Sequence, residues 1–257
     1  MIFVFNKIKT ISGPVFLLGS LVIAACRLQS PAPTSAIVVA AASDLTKASE
    51  PLAAAFERRH GAKITFSFGA SGQLEQMVRQ GAPFDVYAPA ARSYCESLRR
   101  DGLVTGECRV FALGRLVAWS GSIRLQALSD MTEKRILHIA LANPSHAPYG
   151  LAAQQALEAA GLWQTLQPKF VYAESVAHAF QMAKTGNAEI ALVALALVAK
   201  ETGGAFLAID PNLHKPIEQT AAVLKDSRNL SAASAFRDFL AGAEAQGILA
   251  EYGFGHP

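Results

Sequence analysis

The 257-residue sequence is poor in charge and in cysteine. Charged side chains make up 17% of it, and 23 basic residues face 20 acidic ones, so nucleic-acid binding by bulk charge is not supported. The three cysteines lack the neighbouring His or Cys spacing of a metal site. Hydrophobic residues make up 51%, which is enough for one large or two moderate cores.

The common catalytic motifs are also missing. The six histidines form no H-x-x-x-H pair, and no Walker or dinucleotide-binding glycine loop occurs. The segment Gly69–Gln73 approaches the G-x-S-x-G nucleophile elbow but ends in glutamine. We therefore predict no enzyme, no cofactor and no metal bound directly by side chains, with a hydrolytic enzyme as the weakest alternative.

The N-terminal segment has the build of an export signal. Lys7 and Lys9 precede an apolar stretch from Ile11 to Ala25, which is short for a membrane span. We predict a signal over residues 1–25, a linker over 26–36 and an extracytoplasmic protein. Removing the signal leaves 21 basic and 20 acidic residues, a net charge of +1.

Two questions about the cysteines stay open at this stage. Ile23–Cys26 is similar to a lipobox, so Cys26 is a candidate for lipidation, whereas cleavage near Thr34–Ala36 would release a soluble protein. Cys95 and Cys108 would close a loop of about a dozen residues as a disulfide, which stabilises by roughly 3 kcal/mol when unstrained. Two free thiols are the alternative.

Strand-like and helical patterns alternate from Ala36 onward. This alternation predicts an α/β fold whose mainly parallel sheets carry helices on both faces. The predicted strands are 37–41, 63–68, 84–88, 109–119, 136–142, 169–173, 189–195, 205–209 and 217–225. The predicted helices are 45–60, 73–80, 92–101, 150–160, 176–185, 232–240 and 243–252.

Two serine-containing loops are the most informative local feature. Ala40–Asp44 and Phe68–Gly72 each join a short strand-like run to a helical pattern. Ser43 and Ser71 would therefore lie where helix N–H groups have no partner. Two such ends directed at one point would make an anion site.

Pro51 falls inside the first helical pattern. A proline in a helix interior removes an N–H and crowds the carbonyl four residues earlier. The regular helix is therefore predicted to start near Ser49–Pro51, after a looser turn that begins at Leu45.

The chain resembles the periplasmic molybdate/tungstate-binding proteins of ABC transporters from about Ile37 to its C terminus. Six motifs in matching order carry this resemblance. They are Ala40–Leu45, Phe68–Gly72, Gly81–Tyr87, Asn143–Gly150, Glu174–Val176 and Tyr252–Phe254.

The resemblance implies a two-lobed type II periplasmic binding protein in which the chain crosses twice between lobes. The crossings are expected near 114–118 and 219–222, giving lobe 1 as residues 37–115 with 222–257 and lobe 2 as residues 116–221. The family implies a cleft for the anion, an ABC permease as partner, a monomer, and membrane contact only through a lipid anchor.

The resemblance also implies the ligand-binding residues. Serine hydroxyls and main-chain N–H groups would bind molybdate or tungstate at Ser43, Asp44, Ser71, Tyr149 and Val176. Some members place a tyrosine hydroxyl where Ala194 stands, and the Tyr149 phenol is expected to replace that donor. We expect the Asp44 side chain to cap the turn from Leu45 to Lys47.

Other ligands remain as alternatives. The same fold could bind sulfate, phosphate or a small carboxylate, with cavity size deciding between anions. A ferric-ion site is less favoured, because the five tyrosines include no adjacent pair.

Overall fold

The computed structural model describes residues 36–257. The predicted signal segment, Cys26 and all of the predicted linker except Ala36 lie outside the described residues. Within residues 36–257, no helix combines the length and the apolar composition needed to span a bilayer.

Ten strands of the described chain form two five-stranded sheets. The first sheet has the order β2-β1-β3-β10-β4 and the second has the order β7-β6-β8-β5-β9. The strands are β1 Ala36–Ala42, β2 Lys63–Gly69, β3 Val86–Ala88, β4 Val104–Gly114, β5 Leu116–Ser120, β6 Ile139–Ala142, β7 Phe170–Ala173, β8 Ile190–Ala194, β9 Ala205–Ala208 and β10 Ile217–Leu224.

Nine α-helices flank the sheets in this part of the chain. They are α1 Ser49–His60, α2 Ser71–Arg79, α3 Arg92–Arg100, α4 Pro148–Ala159, α5 Trp163–Leu166, α6 Val176–Lys184, α7 Leu195–Val198, α8 Leu230–Leu240 and α9 Ala243–Glu251. Short 3-10 turns occur as well, and the one that matters for the site is Ser43–Lys47. As Pro51 predicted, α1 begins at Ser49, after that turn.

Each sheet is mixed to a greater degree than the sequence predicted. β1 pairs in parallel with β2 and β3, and β6 pairs in parallel with β7 and β8. β10 runs antiparallel to both β3 and β4, and β5 runs antiparallel to both β8 and β9. β5 and β10, the strands that follow the two crossings, are thus antiparallel to both of their neighbours.

The strand boundaries locate the two crossings. β4 ends at Gly114 in the first sheet and β5 begins at Leu116 in the second, so the predicted single strand 109–119 is two strands separated by Arg115. The chain is back in the first sheet at Ile217, where β10 begins. Residues 217–221, assigned to lobe 2 from the sequence, therefore belong to the first sheet. The second crossing therefore lies before β10, in the segment that contains Pro211 and Pro216.

Helices bury the central strands of both sheets. In β1, five of the six residues from Ile37 to Ala42 are buried, and all of β6 and β8 are buried. Burial on two faces explains why these strands are continuous apolar runs without polar alternation. The carboxyl ends of β1 and β2 therefore deliver the two serine loops to one edge of the first sheet.

A disulfide joins α3 to β4 in the first-sheet half. The bond is between Cys95 and Cys108, whose Cα atoms are 5.9 Å apart. Both residues are buried beside Tyr87 and Leu98. Of the two alternatives that the sequence left open, the structure has the bridged form.

Candidate anion-binding site

The five predicted site residues all occupy the first or second position of a helical segment. Ser43 and Asp44 open the 3-10 turn, Ser71 opens α2, Tyr149 is the second residue of α4 and Val176 opens α6. N–H groups at these positions have no intrahelical acceptor, and they carry the positive end of the helix dipole. Among the described residues, none of these five N–H groups donates to a loop, turn or cap acceptor.

The same five residues line one small cavity between the two sheets. Ser43, Asp44 and Ser71 reach it from the first-sheet half, and Tyr149 and Val176 reach it from the second. The cavity has a volume of about 10 Å³, on the scale of a single water molecule. Its other lining residues are Ala42, Gly69, Ala70, Ala90, Ala147 and Pro148, so no Lys, Arg or His of residues 36–257 contributes to the wall.

Ser71 is held by two buried hydrogen bonds. The Ala90 N–H donates to Ser71 Oγ at 3.0 Å, and the Tyr87 hydroxyl donates to the Ser71 carbonyl at 2.7 Å. Among the described residues, no protein acceptor takes the Ser71 hydroxyl hydrogen. This hydroxyl is therefore fixed in place as an acceptor from Ala90 and retains a hydrogen for a further acceptor.

Ser43 connects the two halves of the molecule. Its Oγ accepts from the Ala177 N–H, in the first turn of α6, at 3.3 Å. A second bond between the halves runs from the Gly72 N–H to the His146 carbonyl at 2.9 Å. Like Ser71, Ser43 therefore uses its oxygen as an acceptor and keeps its hydroxyl hydrogen available.

The N-terminus of α4 is set by Pro148 and Gly150. Pro148 takes the first helical position, where its missing N–H costs nothing. Gly150 packs directly on the end of β6, and a Cβ at Gly150 would collide with the Ala142 carbonyl. This close approach places the Tyr149 N–H at the edge of the second sheet.

Asp44 is completely buried, and its carboxyl is directed at β10. Its Oδ2 accepts from Gln219 Nε2 at 2.7 Å. Among the described residues, the partner of this carboxyl is thus Gln219, and the side-chain cap that we expected over the turn from Leu45 to Lys47 is not formed. Burial raises the pKa of Asp44 to about 7, against opposing effects of Tyr149, Gln219 and the N–H groups of Asp44 and Leu45.

Tyr149 is buried with its hydroxyl near the same carboxyl. Burial, followed by the charge of Asp44, raises the pKa of Tyr149 well above its usual value. The hydroxyl also packs against Gly114, where a Cβ would collide with it. Ala194, at the end of β8, does not line the cavity.

Sequence reasoning missed Gln219 and Ala177 as parts of the site. Gln219 is fully buried in a strand that is otherwise mostly apolar, so a buried amide in that strand was the available signal. Ala177 acts only through its backbone N–H, which has no side-chain signature.

Comparison with known proteins adds three findings. Residues 37–255 match the family model of bacterial extracellular solute-binding proteins. The chain is 35% identical to a molybdate-binding protein of Rhodobacter capsulatus over 88% of this chain and 91% of that protein. It is 36% identical to a molybdate-binding protein of Azotobacter vinelandii over 93% of this chain and 98% of that protein.

The fold is also that of a solved structure. The Azotobacter vinelandii periplasmic molybdate-binding protein superimposes with a TM-score of 0.81 and 30% identity, over 87% of this chain and 99% of that one. The predicted α/β fold of a type II periplasmic binding protein is therefore confirmed.

Proposed function

This chain belongs to the bacterial extracellular solute-binding proteins, and we propose that it captures molybdate between its two sheets and delivers it to an ABC permease. The family binds solutes and does not consist of enzymes, in agreement with the prediction from the sequence. Tungstate is a second ligand, because its size and charge differ too little from those of molybdate for these residue types to separate them.

One observation carries the proposal: unpaired donors from both halves converge on a cavity to which the described part of the chain contributes no cationic side chain. The donors are two serine hydroxyls and the N–H groups at the helix starts. A hydrogen bond to a charged acceptor contributes roughly 1.5 to 3 kcal/mol, so several such bonds offset the dehydration of a compact dianion. Helix N-termini add a favourable partial charge.

The named relatives support the choice of anion. Two molybdate-binding proteins are 35% and 36% identical to this chain over most of their length and of this chain. Sulfate has the same charge but is smaller, and donors fixed on two separate halves cannot all reach it at good length.

Binding requires the two halves to move. The cavity of about 10 Å³ matches a single water molecule, whereas a tetrahedral oxyanion has four oxygens. The halves therefore part around the crossings at Arg115 and before Ile217, and close again over the anion. This is a hinge motion in which a few residues between rigid elements change conformation.

The proposed cellular setting follows from the N-terminal segment. The protein is exported by the signal in residues 1–25 and acts outside the cytoplasm as a monomer. Each of its two lobes contains one of the two sheets. The mature protein is either held at the membrane surface by a lipid anchor at Cys26 or released by cleavage near Thr34–Ala36, and mass spectrometry of the mature N-terminus distinguishes these two alternatives.

Calorimetric titration of the mature protein with molybdate, tungstate and sulfate tests the function. We expect saturable one-to-one binding of molybdate and tungstate, and weak or no binding of sulfate. Tighter binding of sulfate or phosphate would assign the site to another oxyanion. No binding of any of these anions would contradict the proposal.

Ser71→Ala is expected to weaken molybdate binding at least tenfold, because it removes one charge-assisted hydrogen bond. It also leaves the buried Ala90 N–H without its acceptor, which costs roughly 1 to 3 kcal/mol of stability. Ser175→Ala is the matched control. Ser175 caps α6 by accepting from the His178 N–H at 3.3 Å and does not line the cavity, so this variant should lose stability and keep its affinity.

A further inference from the structure

Beside the anion cavity, three buried side chains from different elements meet: Asp44, Tyr149 and Gln219. Asp44 and Gln219 are 0% exposed and Tyr149 is 2% exposed. A single hydrogen bond within this buried trio, from Gln219 Nε2 to Asp44 Oδ2, is well formed at 2.7 Å. In the described part of the chain, Asp44 Oδ1, Gln219 Oε1 and the Tyr149 hydroxyl have no hydrogen-bond partner.

Among the unpartnered atoms of the buried trio, one donor, the Tyr149 hydroxyl, faces two acceptors. While Asp44 is ionised, its Oδ1 and the Gln219 Oε1 can only accept, and the Tyr149 hydroxyl can donate to just one of them. Leaving a buried acceptor unsatisfied costs roughly 1 to 3 kcal/mol. A proton on Asp44 Oδ1 supplies the missing donor and removes the buried charge at the same time.

Among the residues that the structure describes, no cation is placed to keep Asp44 ionised. Burial raises the pKa of its carboxyl to about 7, and Tyr149 is the titratable side chain that faces it. The charged residues on the elements around it lie at the surface or are half-buried. They include Lys47 in the 3-10 turn, Glu50 in α1, Lys63 in β2, His178 and Lys184 in α6, and Glu218 in β10. Lys47 and Lys184 are paired with Glu201.

We propose that anion capture draws one proton onto Asp44, so that the site takes up a dianion and a proton together. The inference rests on the function proposed above and gives Asp44 a role beyond its N–H group. Asp44 lines the cavity, so a bound dianion adds two like charges close to this residue and favours the neutral form of its carboxyl. The proton comes from solvent and forms an O–H bond at Oδ1, and no other bond changes.

The coupling has a definite sign. At a pH at which Asp44 is ionised in the free protein and protonated in the complex, each bound anion takes up close to one proton. The apparent affinity then falls by up to tenfold for each unit of rising pH. At lower pH the carboxyl is already protonated in the free protein, so the affinity levels off.

The test is calorimetric titration of the mature protein with sodium molybdate, in pairs of buffers that differ in ionisation enthalpy, at pH 6, pH 7.5 and pH 8.5. We expect little proton uptake at pH 6 and uptake approaching one proton per anion at pH 8.5. Asp44→Asn carries an amide where the proton would reside. This variant should therefore bind molybdate without proton uptake and with an affinity that does not change with pH. Glu218→Gln, one residue from Gln219, is the matched control and should keep the wild-type uptake.

Three outcomes overturn the inference. Wild-type protein that binds molybdate without proton uptake overturns this inference and leaves the proposed function standing. An Asp44→Asn variant that keeps the wild-type proton uptake has the same consequence. A wild-type protein that binds no molybdate overturns the proposed function and this inference with it. Thermal unfolding of the ligand-free proteins checks that Asp44→Asn folds. Because the Asp44 pKa is raised on folding, the wild type should lose stability relative to this variant as the pH rises from 4 to 8.

Discussion

At the scale of single residues, the proposed site depends on backbone groups more than on side-chain identity. Val176 has an apolar side chain and is 5% exposed, yet it is the first residue of α6 and offers an unpaired N–H. Ser43 and Ser71 each accept one N–H, from Ala177 and Ala90, and this orients their hydroxyls. A polar side chain is therefore required at the serines, whereas Val176 can contribute through its backbone alone.

Val176→Pro and Val176→Ile separate the contribution of the Val176 N–H from that of its side chain. Proline is well tolerated at the first position of a helix, and the extended backbone of Ser175 suits the residue before a proline. We expect α6 to remain folded and molybdate affinity to fall by about tenfold or more, since one charge-assisted hydrogen bond is lost. Val176→Ile keeps the N–H and should bind nearly as the wild type does. Equal affinities of all three proteins, measured by calorimetry, would remove Val176 from the site.

At the scale of secondary-structure elements, the site is set by how closely helix starts approach strand ends. Four helical segments begin at the cavity, and two of them follow directly from β1 and β2. α4 can approach β6 because residue 150 is a glycine. The position of the Tyr149 N–H therefore depends on a packing contact between elements.

Gly150→Ala is expected to destabilise the fold, because the new methyl group would meet the Ala142 carbonyl. Overpacking of this kind typically costs 1 to 3 kcal/mol. Gly247→Ala in α9 is the matched control, since nothing lies within 4 Å of a Cβ built there. That substitution should instead stabilise the protein by about 0.5 to 1 kcal/mol. Urea unfolding of both variants measures the difference, and a neutral Gly150→Ala would show that α4 can shift.

At the scale of the whole molecule, polar contacts hold the two halves together around the cavity. Glu201, in the second-sheet half, binds Lys47 of the first-sheet half at 2.9 Å and Lys184 of its own half at 2.7 Å. The Glu201 side chain is 15% exposed, and hydrogen bonds from Lys184 and Lys47 lower the pKa of its carboxyl. Lys200 and Glu251 form another pair between the halves at 2.9 Å. Ion pairs thus stabilise the contact between the two halves.

Glu201→Gln should weaken molybdate binding severalfold at low ionic strength, because an ion pair near the surface contributes up to about 1 kcal/mol. The effect should shrink as salt is added, since salt screens exposed charges. Glu96→Gln breaks a pair with Arg99 within α3 alone, so it serves as the control that leaves affinity unchanged. If both variants bind equally well in low salt, the Glu201 pair does not contribute to closure.

The local features of this protein could be predicted from its amino-acid sequence. Hydrophobic periodicity and turn residues predicted most strands and helices, including the start of α1 near Pro51. The five proposed binding residues followed from a family resemblance, and each of them lies at a helix start. Such features are readable because hydrogen-bonding requirements at a helix end depend on a few neighbouring residues.

The contacts between these helices, strands and binding residues are set by the tertiary structure. The bond between Asp44 and Gln219 joins residues 175 positions apart, and the bond between Ser43 and Ala177 spans 134. The break at Arg115 and the return at Ile217 also depend on which strands pair across each sheet. No local pattern encodes such pairings, because they result from packing the whole chain. The buried carboxyl that we propose to be a proton site is therefore visible only in the folded molecule.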